Sequence, residues 1–214
     1  MTRMATLTAA SLRRPSTLAP MTSTPTDDRA VDVVVGLAGR ATPRCGDVLV
    51  VAVDGPSGAG KTRLARAVGR RLGARVVHMD DVYPGWDGLA DAVPLVVEGL
   101  LEPLARGEDA AYRRWDWVHD RWATRRRDVR WVPRLVLEGV GSSVGAAGAF
   151  AALRVWVEAP RAVRFERGIA RDGEAYRPHW ERWARQEAAL FAGDGTRSRA
   201  DVVVDTTGAH RVPR

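Results

Sequence analysis

Apolar residues recur along this chain in two rhythms. Val48-Leu49-Val50-Val51-Ala52-Val53 is an unbroken aliphatic run closed by Asp54-Gly55, which predicts a strand buried on both faces. Over 61–72, Leu64, Ala65, Val68 and Leu72 return at helical spacing, which predicts an amphipathic helix. The alternation then repeats. Ala74–Met79 reads as a strand, and 88–105 as a helix through Leu89, Val93, Val96, Val97, Leu100 and Leu104. Arg134–Leu137 is a third strand ending at Glu138-Gly139, and Leu153–Val157 a fourth ending at Glu158-Ala159-Pro160. Helices follow at about 160–171 and 174–192, and Ala200–Asp205 is the fifth strand. Upstream, Val31, Val34, Val35 and Ala38 mark a short helix over 28–41. Strand and helix in alternation imply right-handed crossovers onto a mostly parallel, five-stranded sheet covered on both faces: a three-layer α/β/α fold.

Composition narrows the picture. A chain of 214 residues is a prior for one domain. Residues 1–26 are rich in Thr, Ser, Pro and Ala and read as a disordered tail, 27–46 as a helix and connector, and 47–214 as the domain proper. A single cysteine, Cys45, excludes an intrachain disulfide, and His78, His119, His179 and His210 are too scattered for a zinc site. No apolar stretch is long enough for a membrane helix, and no secretory leader is visible, so a cytoplasmic location is expected. The net charge of +7 invites a nucleic-acid partner, but the tail contributes part of it and no recognition module is visible. The cations are 32 Arg and one Lys, Lys61. A lone ammonium among so many guanidinium groups marks a position that wants a compact point charge.

Lys61 sits in Gly55-Pro56-Ser57-Gly58-Ala59-Gly60-Lys61-Thr62, which fits G-x-x-x-x-G-K-[ST] between a buried strand and a helix. From composition alone the coincidence has odds of roughly 1 in 1,000. Gly55, Ser57, Gly58, Ala59 and Gly60 would turn backbone N–H groups onto phosphate, Lys61 would reach the β- and γ-phosphates, and Thr62 would hold Mg²⁺. The motif implies a nucleoside triphosphate and leaves the reaction open.

In doubly wound sheets ligands sit beyond the carboxyl ends of the strands. Three ends carry acids here: Asp54, which orients backbone; Asp80-Asp81; and Glu138. A carboxylate there can take a proton from a hydroxyl and help hold Mg²⁺. It would repel an acceptor that is already a phosphate, although Arg113 and Arg114 could hold one. Arg164, Arg167 and Arg171 share a helical face and read either as a solvated stripe or as a lid that neutralises a triphosphate. Four of the eight tryptophans, Trp86, Trp115, Trp117 and Trp122, fall near the expected acceptor pocket, where stacking on a planar ring competes with plain core packing. Trp180 and Trp183, with Ala184, Ala188 and Phe191, follow a core stripe.

These stretches together resemble the uridine kinase and nicotinamide riboside kinase family of P-loop kinases, over about residues 48–206. Val53–Thr62 is similar to the family's phosphate loop. His78-Met79-Asp80-Asp81-Val82-Tyr83 is similar to its segment after the second strand, whose first Asp is the catalytic base. Leu135–Gly139 resembles the strand ending in Glu-Gly, whose Glu joins the Mg²⁺ network, and Val157–Asp172 resembles the lid. The resemblance implies an ATP- and Mg²⁺-dependent kinase acting on a hydroxyl of a small molecule, a nucleoside in the first instance. Asp80, Lys61, Arg167 and Arg171 would be catalytic. Gly55, Ser57, Gly58, Ala59, Gly60, Lys61, Thr62 and Arg164 would bind ATP. Asp81, Tyr83, Asp87, Trp115 and Asp116 would contact the acceptor, and Thr62, Glu138 and Asp80 the metal; Asp81 is the reserve base. The chain departs from the family on the acceptor side: Arg167-Gly168 replaces paired Arg, the segment after Tyr83 is short, and Val140–Ala149 is rich in Gly and Ala. A nucleoside monophosphate kinase and a regulatory NTP-binding protein are the alternatives.

Overall fold

The computed structural model describes residues 25–207 and 210–211. The expected tail lies outside these residues except for its last two positions, which belong to the first helix. The elements in order are α1 (Pro25–Ala38), β1 (Leu49–Asp54), α2 (Lys61–Leu72), β2 (Arg75–His78), α3 (Ala92–Val96), α4 (Glu102–Ala105), β3 (Ala110–Asp116), β4 (Arg121–Val129), β5 (Arg134–Glu138), α5 (Gly145–Phe150), β6 (Leu153–Glu158), α6 (Arg161–Asp172), α7 (Arg177–Asp194), β7 (Val202–Asp205) and β8 (His210–Arg211). The main sheet runs β2-β5-β1-β6-β7-β8. The first five of these strands are parallel, as expected, and β8 adds an antiparallel edge.

All six residues of β1 are buried, because it is central and covered on both faces. Alternation splits its side chains between two cores. Leu49, Val51 and Val53 meet Val31 and Val34 of α1 and Leu64, Ala65 and Val68 of α2. Val48 and Val50 face the other way, into a core with Leu100, Leu104, Tyr112, Leu135 and Trp183. The ends of β1 and β5 stand level, with Val53 opposite Glu138. This brings the residues that follow both strands to one edge, where α2 begins.

Two features depart from the periodic reading. The helix expected over 88–105 starts at Ala92, and a π-helical turn, Val97–Leu101, separates α3 from α4. Pro103 has no N–H to close an α-turn onto Gly99, so the ladder widens just before it. A Cβ on Gly99 would lie 3.1 Å from the Tyr112 Cβ, so the strand opposite packs directly on this turn. The second departure is that strand itself. β3 and β4 form a separate antiparallel hairpin, with Trp115 opposite Trp122 and a register irregularity between Arg113 and Trp115. Arginines on both faces hide the alternation that would have announced it. Among the described residues no helix is long and apolar enough to cross a membrane.

Candidate active site

The phosphate loop leaves β1 through Gly55 at φ +133°, where a Cβ would lie 2.0 Å from the Val157 carbonyl oxygen. Only glycine fits there. Gly58, at φ +75°, comes as close to the Arg164 carbonyl oxygen, so loop and lid helix touch backbone to backbone. Asp54 fixes the base of the loop. Its fully buried carboxylate accepts the amides of Gly55 (2.7 Å), Gly141 (2.9 Å) and Ser143 (2.8 Å) and the Ser143 hydroxyl (2.9 Å). Asp54 therefore orients backbone, as expected, and ties the loop to the segment after β5. Lys61 is buried and donates to the Pro56 carbonyl across the loop at 3.0 Å.

Opposite the loop stands Glu138. One carboxylate oxygen accepts from the Thr62 hydroxyl (3.2 Å) and faces His78 Nδ1 at 3.1 Å; the other, Oε2, is buried without a partner. Burial raises the Glu138 carboxyl, but the His78 hydrogen bond, Lys61 and Thr62 outweigh it and hold it below the usual value. An orphaned carboxylate oxygen beside a hydroxyl suits Mg²⁺, which takes one or two carboxylates and fills its remaining positions with water and phosphate. Among the described residues no group of three or more His, Cys, Asp or Glu forms a complete metal cage.

Asp80 follows β2 on a single 3₁₀ turn, Met79–Asp81. It is solvent-accessible, yet protein crowds it enough to push its carboxyl above the usual range; the negative charge of Glu138 adds to this, and Arg171, Lys61 and His78 oppose it. Among the described residues its carboxylate has no hydrogen-bond partner. Gly58, Gly60, Lys61, Thr62, Arg63, Arg167 and Arg171 line one cleft, so the lid arginines and the loop do converge. Arg171 is meanwhile held by Asp172 at 2.7 and 2.8 Å, and Arg167 by the Thr206 hydroxyl at 2.7 Å.

Arg164 departs from its expected place on ATP. Its guanidinium donates to the carbonyls of Ala159 (3.1 Å) and Ser57 (3.2 Å) and lies 3.8 Å from Glu187, so it braces the loop. Glu187 is 3% exposed and accepts the Ser57 amide at 2.7 Å. The two polar backbone groups of Ser57 are thus clamped by α6 and α7. Glu187, His78 and Thr206 are site residues that the periodic reading missed. Glu187 was hidden in a helix whose stripe reads as core, and Thr206 follows the last strand without any motif.

The expected acceptor residues are placed differently. Asp81 accepts the Tyr112 hydroxyl (3.0 Å) and lies 3.4 Å from Arg127, so it anchors the hairpin and is tied up as a reserve base. Tyr83 is 1% exposed, donates to the Val140 carbonyl (2.9 Å) and packs edge-on against Trp183; it is a core residue with no surface for a ligand. Asp87 pairs with Arg182 at the surface. Asp116 caps the hairpin turn through the amides of Val118 and His119 and the His119 ring. Trp115 lies edge-on to Trp122 and over Gly85, with its indole nitrogen buried and unpartnered. Trp117 does reach the site: its indole N–H donates to the Asp80 carbonyl at 2.9 Å, and its ring lies 5.0 Å from Trp86.

No protein-family model and no curated protein sequence matches the chain. Solved structures do. One described as a possible uridine kinase from Bacillus stearothermophilus has a TM-score of 0.61 at 21% identity, over 83% of this chain and 98% of its own. D-glycerate 3-kinase from Cryptococcus neoformans var. grubii has a TM-score of 0.54 at 12% identity, over 88% of this chain and 98% of its own. At these identities the likeness establishes the fold, and it is the fold of P-loop kinases.

Proposed function

We propose that this chain is a small-molecule kinase that transfers the γ-phosphoryl group of ATP to a hydroxyl. The observation that carries the reading is Asp80: an exposed carboxylate at the end of β2 with no hydrogen-bond partner among the described residues, within the electrostatic reach of Lys61, Arg171 and Glu138. A hydroxyl beside it would give its proton to Asp80 as its oxygen forms the new O–P bond and the bond from the γ-phosphorus to the ADP oxygen breaks. Lys61 would exchange the Pro56 carbonyl for phosphate, and the loop amides up to Thr62 would cradle the chain of phosphates at the N-terminus of α2. Arg167 and Arg171 would neutralise the transferring group from the lid. Thr62 and Glu138, with Asp80 near, are the residues fit to hold Mg²⁺, which would neutralise phosphate charge.

ATP as donor accords with a cytoplasmic setting. For the acceptor, the sequence resemblance and the Bacillus structure's description suggest a nucleoside, whereas the Cryptococcus enzyme's name suggests a hydroxy acid. The test is ADP release from Mg-ATP across a panel of alcohols. Turnover that disappears in Lys61→Ala, with the circular dichroism of the native fold retained, is the expected result. Equal turnover in that variant would overturn the reading.

A further inference from the structure

Given the kinase reading, on which this inference rests, the rate depends on where the Asp80 carboxylate stands. Among the described residues that carboxylate accepts no hydrogen bond, so its place is set by its backbone. The backbone there is a single 3₁₀ turn, Met79–Asp81, closed by the Val82 amide on the Met79 carbonyl at 2.8 Å. One such turn is too short to hold itself. The hairpin holds it at two successive residues. The Trp117 indole N–H donates to the Asp80 carbonyl at 2.9 Å, and the Tyr112 hydroxyl donates to the Asp81 carboxylate at 3.0 Å, with Arg127 3.4 Å away. The hairpin is itself anchored. Tyr112 is buried on a strand that packs against the π-helical turn at Gly99, and Trp115 lies over Gly85. The Asp116 carboxylate accepts the Val118 and His119 amides and so shapes the turn around Trp117. Trp117 is 38% exposed, so water could serve as the acceptor for its N–H. It points instead at the peptide that carries the base.

We propose that Trp117 and Tyr112 are positioning residues for Asp80: from the hairpin they fix the turn that carries the base, and neither touches its carboxylate. A donor placed directly on the carboxylate would hold it as firmly, but it would occupy a lone pair and favour the charged form, which weakens a base. A grip on the peptide leaves both oxygens open to the acceptor hydroxyl. Misplacing a reacting group by an ångström costs up to about 100-fold in rate, so loosening this turn is felt in the chemical step.

The experiment uses the full chain in two variants, Trp117→Phe and Tyr112→Phe, each of which keeps an aromatic ring and removes the donor. With an alcohol that the native chain phosphorylates, each variant should lower kcat by about 10-fold or more while the KM values for ATP and for the acceptor are held. Hydrogen–deuterium exchange, read without substrate, should quicken over residues 79–83 and stay as in the native chain over β1 and β5. An unchanged kcat overturns the proposal. So does a raised acceptor KM with kcat held, which would make Trp117 a substrate contact. Exchange that stays native over 79–83, or that quickens across the whole sheet, overturns it as well. A native chain that releases no ADP with any alcohol is a failure of the kinase reading instead, and the exchange measurement, which needs no turnover, still tells whether the hairpin holds the turn.

Discussion

Asp80 and Asp81 are sequence neighbours, and both stand at the end of β2, yet only one is available for chemistry. Asp81 is held by Tyr112, 31 residues away, and by Arg127. Asp80 has no hydrogen bond of its own and a carboxyl pushed up by crowding and by Glu138. The phosphate loop, Asp80 and Glu138 were legible in the sequence because motif and strand-end position are local properties. The roles of Asp81, Tyr83, Asp87 and Asp116 were not, because each depends on a partner that only the folded chain supplies. The shift at Asp80 has a direct consequence for catalysis. A base works only when deprotonated, so kcat/KM should decline as pH falls through a value above the ordinary aspartate range near ~3.9. Asp80→Asn should lose roughly 10²- to 10⁴-fold in kcat while ADP binding by calorimetry persists. A full rate in that variant, or an acidic limb at the ordinary value, would take the role of base away from Asp80.

Elements with one clean period were readable from the chain, and elements whose pattern serves two surfaces were not. β1, α2, β5 and β6 match their expected spans to within a residue or so, because buried strands are continuous and one-sided helices keep their stripe. The hairpin β3–β4 carries arginine on both faces and mixes packing with charge, so its strands gave no alternation. α7 was read as core alone, yet it holds the phosphate loop through Glu187. Glu187→Ala would leave the Ser57 amide unpaired and remove the nearby counter-charge of the largely buried Arg164. Breaking such a buried pair costs about 3 kcal/mol, which in a domain of this size lowers Tm by roughly 10 °C. Glu187→Gln keeps an acceptor for the amide and should lose clearly less, by the same calorimetric scan. Equal losses in the two variants would mean that charge, and not the hydrogen bond, is what Glu187 provides.

At the scale of the molecule, the three-layer order was predictable because the alternation of strands and helices restricts how a parallel sheet can be covered. What the sequence left open was how the first helix joins it. α1 was expected as a short helix leading into the core, and Val31 and Val34 pack with α2 and the central strands in one core. A chain started at residue 41 removes those side chains and exposes the apolar side of α2; it should aggregate or melt well below the full chain when followed by light scattering and circular dichroism. The site lies at the strand ends, and near it Trp86 bridges two elements. Its ring stacks on His179 at 4.3 Å, at the start of α7, and meets Trp117 at the tip of the hairpin. An indole placed between neighbours on two different elements would change its surroundings if either element shifted. The protein therefore carries a built-in optical gauge: its emission, corrected with Trp86→Phe, would report any change in the packing of the hairpin against α7 without an attached dye.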